Sequence, residues 1–61
     1  MFAKIESLCK ENGISIARLE STLGLGNGTI GRWGKGVSPT VEKLKLVADY
    51  FSVTVDELIR G

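Results

Sequence analysis

The chain has 61 residues, 43% apolar and 25% charged, with eight Lys and Arg against seven Asp and Glu; this suits one domain over residues 1–61 that buries roughly 60% of its unfolded surface and excludes a disordered chain. No apolar run approaches the ~18 residues of a membrane span and no signal-peptide pattern opens the chain, so the cytoplasm is the expected location. One cysteine and no histidine leave no internal disulfide, no common general base and no metal-ligand set; no catalytic residue, metal or cofactor is expected.

Periodicity and punctuation predict five short helices and no strand. In the first, from about Phe2 to Asn12, Phe2, Ile5, Leu8 and Cys9 fall near one stripe and Gly13 is the natural stop. Ser15 is the expected N-cap of the second, with Ile14 and Leu19 spaced as a hydrophobic staple and Gly24 as the breaker. The third spans roughly Asn27 to Lys35 with Ile30 and Trp33 as its apolar pair, and Gly36 ends it. Gly28, Gly31 and Gly34 inside it should together cost about 3 kcal/mol relative to alanine. Either packing through Ile30 and Trp33 imposes that helix, or the segment is not a helix.

Ser38 or Thr40 caps the fourth helix, where Pro39 loses nothing by lacking an N–H. Val41, Leu44, Ala48 and Phe51 then follow at helical spacing. The fifth opens with a T-x-x-E capping box, Thr54 and Glu57, flanked by Val53 and Leu58 as staple, with Leu58 and Ile59 facing inward. Phe2, Leu46, Val55 and Ile59 are apolar residues beyond the needs of the core, a candidate dimer patch or scattered surface residues.

The charge is unevenly placed. Residues 15–45 carry a balance of +3 and the two flanks −2, a basic centre that points weakly to a polyanion. Two short helices joined by a tight turn at Gly24 make a helix-turn-helix. The major groove, about 12 Å wide, admits one α-helix, which the preceding helix braces across the sugar-phosphate backbone.

The stretch S-I-A-R-L-E-S-T-L-G-L-G-N-G-T-I-G-R-W and the tail L-K-L-V-A-D-Y-F-S-V-T-V-D-E-L-I resemble the Cro-like, phage-repressor (xenobiotic-response-element) family of helix-turn-helix DNA-binding domains, from about Ile5 to Ile59. The resemblance implies an all-α, five-helix lambda-repressor-like domain whose helices 2 and 3 form the helix-turn-helix. It places Asn27, Gly28 and Arg32 where the family reads base edges, and Thr29, Lys35 and Lys43 where it holds phosphates; Ser15, at the start of the second helix, could hold one too. Asparagine can pair with adenine and arginine with guanine O6 and N7 in bidentate fashion. The expected partner is double-stranded DNA with a near-palindromic operator. It would be bound by a homodimer, formed through a further C-terminal region if the chain is the excised domain of a longer repressor, on the nucleoid.

Four residues make three departures from the family pattern. Ile16 stands where glutamine usually contacts DNA, though it could meet a thymine methyl. Glu20 replaces a small alanine at the helix crossing, so its carboxylate must reach the edge or a partner such as Arg18 or Lys35. Gly28 and Gly31 remove side-chain readout while permitting close backbone approach, so few direct base contacts are expected. Trp33 is read as core rather than as a stacking platform, and Cys9 as a small buried hydrophobe. The competing function is a protein-interaction or antitoxin-type module on the same fold; salt-dependent duplex binding separates the two.

Overall fold

The computed structural model describes residues 1–60; Gly61, where the expected domain boundary is drawn, lies outside them. Five helices follow one another: α1 (Phe2–Glu11), α2 (Ile16–Leu23), α3 (Thr29–Trp33), α4 (Val41–Tyr50) and α5 (Val55–Arg60). No strand occurs among the described residues. This is the all-α, five-helix architecture that the resemblance implies.

Local chemistry sets most of the boundaries. The Ser15 hydroxyl accepts from Arg18 N at 3.0 Å, Thr40 from Lys43 N at 3.2 Å and Thr54 from Glu57 N at 3.0 Å, each satisfying one of the amides that a helix start leaves without a partner. Thr40, not Ser38, is thus the cap of α4. At Thr54 the hydroxyl half of the capping box forms; no return bond from the Glu57 side chain forms among the described residues.

Four helix ends share one closure. Ile14, Leu25, Val37 and Val53 donate their N–H to the carbonyls of Cys9, Glu20, Arg32 and Ala48, at 2.8–3.1 Å. In each case the preceding residue, Gly13, Gly24, Gly36 or Ser52, has a positive φ. This is the Schellman arrangement, which returns orphan carbonyls to use by turning the chain left-handed for one residue.

One side chain from each helix is fully buried: Ile5, Leu19, Ile30, Val47 and Leu58. Burying a residue of this kind stabilises by roughly 1.5–3 kcal/mol. Leu8, Cys9, Trp33, Leu44 and Ala48 complete the core, with Phe2, Ile14, Leu23, Phe51, Val53 and Val55 packed on its rim. Two expected core residues face water instead: Val41, 73% exposed, stands at the first position of α4 beyond the core's edge, and Ile59, 55% exposed, lies on the outer side of α5. Val47 supplies the α4 contact that the expected stripe lacks. Of the surplus apolar set, Phe2 and Val55 are half-buried against the core, whereas Leu46 and Ile59 are exposed.

Candidate nucleic-acid interface

The segment between α2 and α3 is built around a left-handed glycine. Gly28 has φ 86° and ψ 0°, the geometry of the third residue of a type II turn. The turn closes with Thr29 N donating to Gly26 O at 3.0 Å. The helix then begins, with Arg32 N donating to Gly28 O at 3.0 Å. The expected span of Asn27 to Lys35 is therefore too long at both ends. Asn27 and Gly28 belong to the turn, and Gly34 to Gly36 form the closing turn.

This shortening changes the energetics of the glycines. Gly28 is the N-cap and Gly34 the C-cap, so only Gly31 carries the interior penalty of about 1 kcal/mol. At Gly28 glycine is the favoured residue, since any side chain at that φ would be strained.

Glu20 is the largest departure from the sequence reading. It is 3% exposed and pairs with neither Arg18 nor Lys35. Its two carboxylate oxygens accept from backbone amides of the turn: Oε1 from Gly28 N at 3.0 Å and Oε2 from Ile30 N at 2.7 Å. Bonds to an ionised acceptor are stronger than neutral ones. A carboxylate at a helix N-terminus also meets the positive end of the helix dipole. A small residue at the crossing would leave both amides without this acceptor.

The far side of α3 is anchored in the core through Ile30 and Trp33. Asn27 and Arg32 are exposed and Gly28 is half-buried. The Arg32 guanidinium folds back over the turn, with Nη2 donating to Thr29 Oγ1 at 3.4 Å and Nη1 lying 3.7 Å from where a Cβ on Gly28 would sit. Thr29 itself is buried at 6% exposure, so its hydroxyl serves this internal contact and presents little surface for a phosphate. Ser15, Lys35 and Lys43 are exposed. Ile16 is half-buried and packs against the core.

A shallow, open concavity beside the start of α2 is lined by Gly13, Ile14, Ser15, Arg18, Thr22 and Tyr50. Ser15 is the one expected phosphate contact in it. Arg18, exposed in the first turn of α2, lines the same concavity as a cation that the resemblance does not single out. No helix is long and apolar enough to cross a membrane, and no cluster of metal-ligating side chains occurs among the described residues.

No curated protein and no solved structure matches the chain. A family model described as "Helix-turn-helix" matches residues 5–58, which spans every anchor of the core and the whole α2–turn–α3 unit. The chain therefore belongs to the helix-turn-helix family of the Cro-like, phage-repressor type.

Proposed function

We propose that the protein is a transcriptional regulator, a repressor or its DNA-binding domain, that binds double-stranded DNA sequence-specifically by placing α3 in the major groove. The observation that carries this reading is the division of α3 into two faces: Ile30 and Trp33 are buried, while Asn27 and Arg32 are exposed at the turn and on the helix. Asn27 and Arg32 are the base-reading side chains, and Gly28 allows the backbone close to the base edges. Ser15, Lys35 and Lys43 hold phosphates, joined by Arg18. Thr29 supports the set from within by orienting Arg32. With so short a reading helix, groove shape and phosphate contacts supply a large part of the affinity.

The domain acts as a homodimer on a near-palindromic operator, its two reading helices roughly 34 Å apart. Exposed Leu46 and Ile59 on α4 and α5 are apolar surface that supports self-association. The proposed role is one of binding rather than catalysis.

The test is selection of duplexes from a random library, followed by titration of the selected duplex at several salt concentrations. Two enriched half-sites related by two-fold symmetry are the expected result, with a logarithmic salt slope of about −5 for the dimer if Arg18, Lys35 and Lys43 of each chain neutralise one phosphate apiece. No enrichment, with a flat salt response, would overturn the reading in favour of a protein-interaction module.

A further inference from the structure

We infer that Glu20 is a positioning residue for DNA reading, a buried carboxylate clamp that fixes the turn carrying Asn27 and the start of α3. The inference rests on the proposed DNA reading. Three successive amides at the start of α3, those of Gly28, Thr29 and Ile30, are all engaged inside the protein: two by the Glu20 carboxylate and one by the Gly26 carbonyl.

Two consequences follow from that arrangement. First, the α3 N-terminus offers these amides to no phosphate, although a helix N-terminus is ordinarily a ready anion site. A DNA phosphate brought there would also meet the negative charge of Glu20. Phosphates must then be held elsewhere, which leaves the start of α3 to bases. Second, the clamp joins residues eight and ten positions apart in the chain. The orientation of Asn27 and Gly28 is thus set from α2, the helix that braces the reading unit. A five-residue helix with an interior glycine cannot hold that orientation alone, since isolated helices shorter than ~12 residues are marginal in water.

The test uses Glu20→Gln, which keeps the shape but replaces one acceptor oxygen by an amide donor, so one of the two backbone amides is left facing a donor. Two readouts are taken at a temperature where both proteins are folded. The first is amide hydrogen exchange without DNA. Exchange at Gly28 or Ile30 should accelerate about tenfold or more, the loss of one charge-assisted bond, while Leu8 and Val47 keep their protection. The second is the ratio of affinity for the selected duplex to that for a scrambled one. That ratio should fall about tenfold with the scrambled-duplex affinity within about twofold of wild type.

A merely structural residue would weaken both duplexes alike or neither. If either readout in the folded variant stays at its wild-type value, the inference is overturned. Should Glu20→Gln not fold, Glu20→Asp, which keeps the charge and shortens the reach by one methylene, is read the same way. A wild-type domain that discriminates no duplex overturns the DNA reading instead. The exchange measurement, made without DNA, tells that failure apart from failure of the clamp.

Discussion

The ring of Phe2 lies directly against Gly34, where α3 closes. A Cβ on Gly34 would stand 3.0 Å from both Cδ2 and Cγ of that ring. Gly34 has φ −70° and ψ −13°, an ordinary right-handed conformation, so the requirement for glycine there is steric. Gly31, one turn earlier, has nothing within 4 Å of the point a Cβ would occupy. The two glycines should respond to alanine with opposite signs. Gly31→Ala removes an interior helix glycine and should stabilise by about 1 kcal/mol. Gly34→Ala forces the Phe2 ring aside and should destabilise by about 1 kcal/mol, the low end of overpacking costs because Phe2 is only half-buried. Thermal unfolding of both variants checks the order. In a Phe2→Ala background, Gly34→Ala should lose its penalty, the coupling expected of residues in contact.

Ser52 closes α4 as Gly13, Gly24 and Gly36 close the helices before it, yet it is the one non-glycine with a positive φ among the described residues, at 57°. A left-handed conformation costs a side-chain-bearing residue about 1–2 kcal/mol. Glycine removes that cost but loses about 0.4–1 kcal/mol through the greater freedom of its unfolded chain. Ser52→Gly should therefore stabilise by a net ~0.5–1 kcal/mol, raising Tm by about 2–8 °C for a domain of this size. A Tm equal to or below that of wild type would show that Ser52 bears no strain.

The sequence discloses those features whose partners are close in the chain. Ser15 bonds Arg18 N and Thr54 bonds Glu57 N, each three residues on, and a cap of this kind is visible in the spacing alone. Gly13, Gly24 and Gly36 declare the helix ends for the same local reason. Glu20 could not be read so. Its partners are eight and ten residues away, and they are backbone amides that every sequence possesses, whereas charge alone points to Arg18 and Lys35. The role of Gly34 depends likewise on Phe2, at the other end of the chain from α3's own signals. Val41 lies on the apolar stripe yet outside the core, because helical spacing alone does not show where the core stops along an axis: the stripe runs through position 41, but the neighbours that would cover it do not.

Cys9 should be an inert thiol in the folded protein. It is 3% exposed, and its pKa is raised, first by burial and then by the Glu6 carboxylate nearby. Both effects disfavour the thiolate, which is the reactive form. A thiol reagent at about pH 8 should modify Cys9 at a rate that tracks opening of the domain, rising steeply across the urea transition. The same shift has a stability consequence. A group whose folded pKa lies above its unfolded value contributes stability that is fully present below the unfolded pKa and is lost as pH rises through the folded one. The Cys9 contribution should therefore decline above about pH 8.5, and urea titrations of wild type and Cys9→Ala should converge or cross there. Rapid modification in the absence of denaturant would contradict the buried placement.

Arg32 and Lys43 separate base reading from phosphate holding on the proposed reading. Arg32 has one long bond, 3.4 Å to Thr29 Oγ1, which orients the guanidinium while leaving other N–H donors for a guanine edge. Arg32→Ala should cost about 1–3 kcal/mol against the selected duplex and relax preference at one base pair, with little change on a scrambled duplex. Lys43 lies in the first turn of α4, exposed, and its backbone amide is already taken by the Thr40 hydroxyl. Its ammonium group is free to meet a phosphate but carries no directional pattern for a base. Lys43→Ala should weaken all duplexes alike and reduce the magnitude of the salt slope by about 1 for each bound chain, about 2 for the dimer. Titrations of both variants on both duplexes at three salt concentrations decide the assignment. An Arg32→Ala protein that binds the selected duplex as tightly as wild type would remove Arg32 from the reading set, and a Lys43→Ala loss confined to one sequence would exchange the two roles.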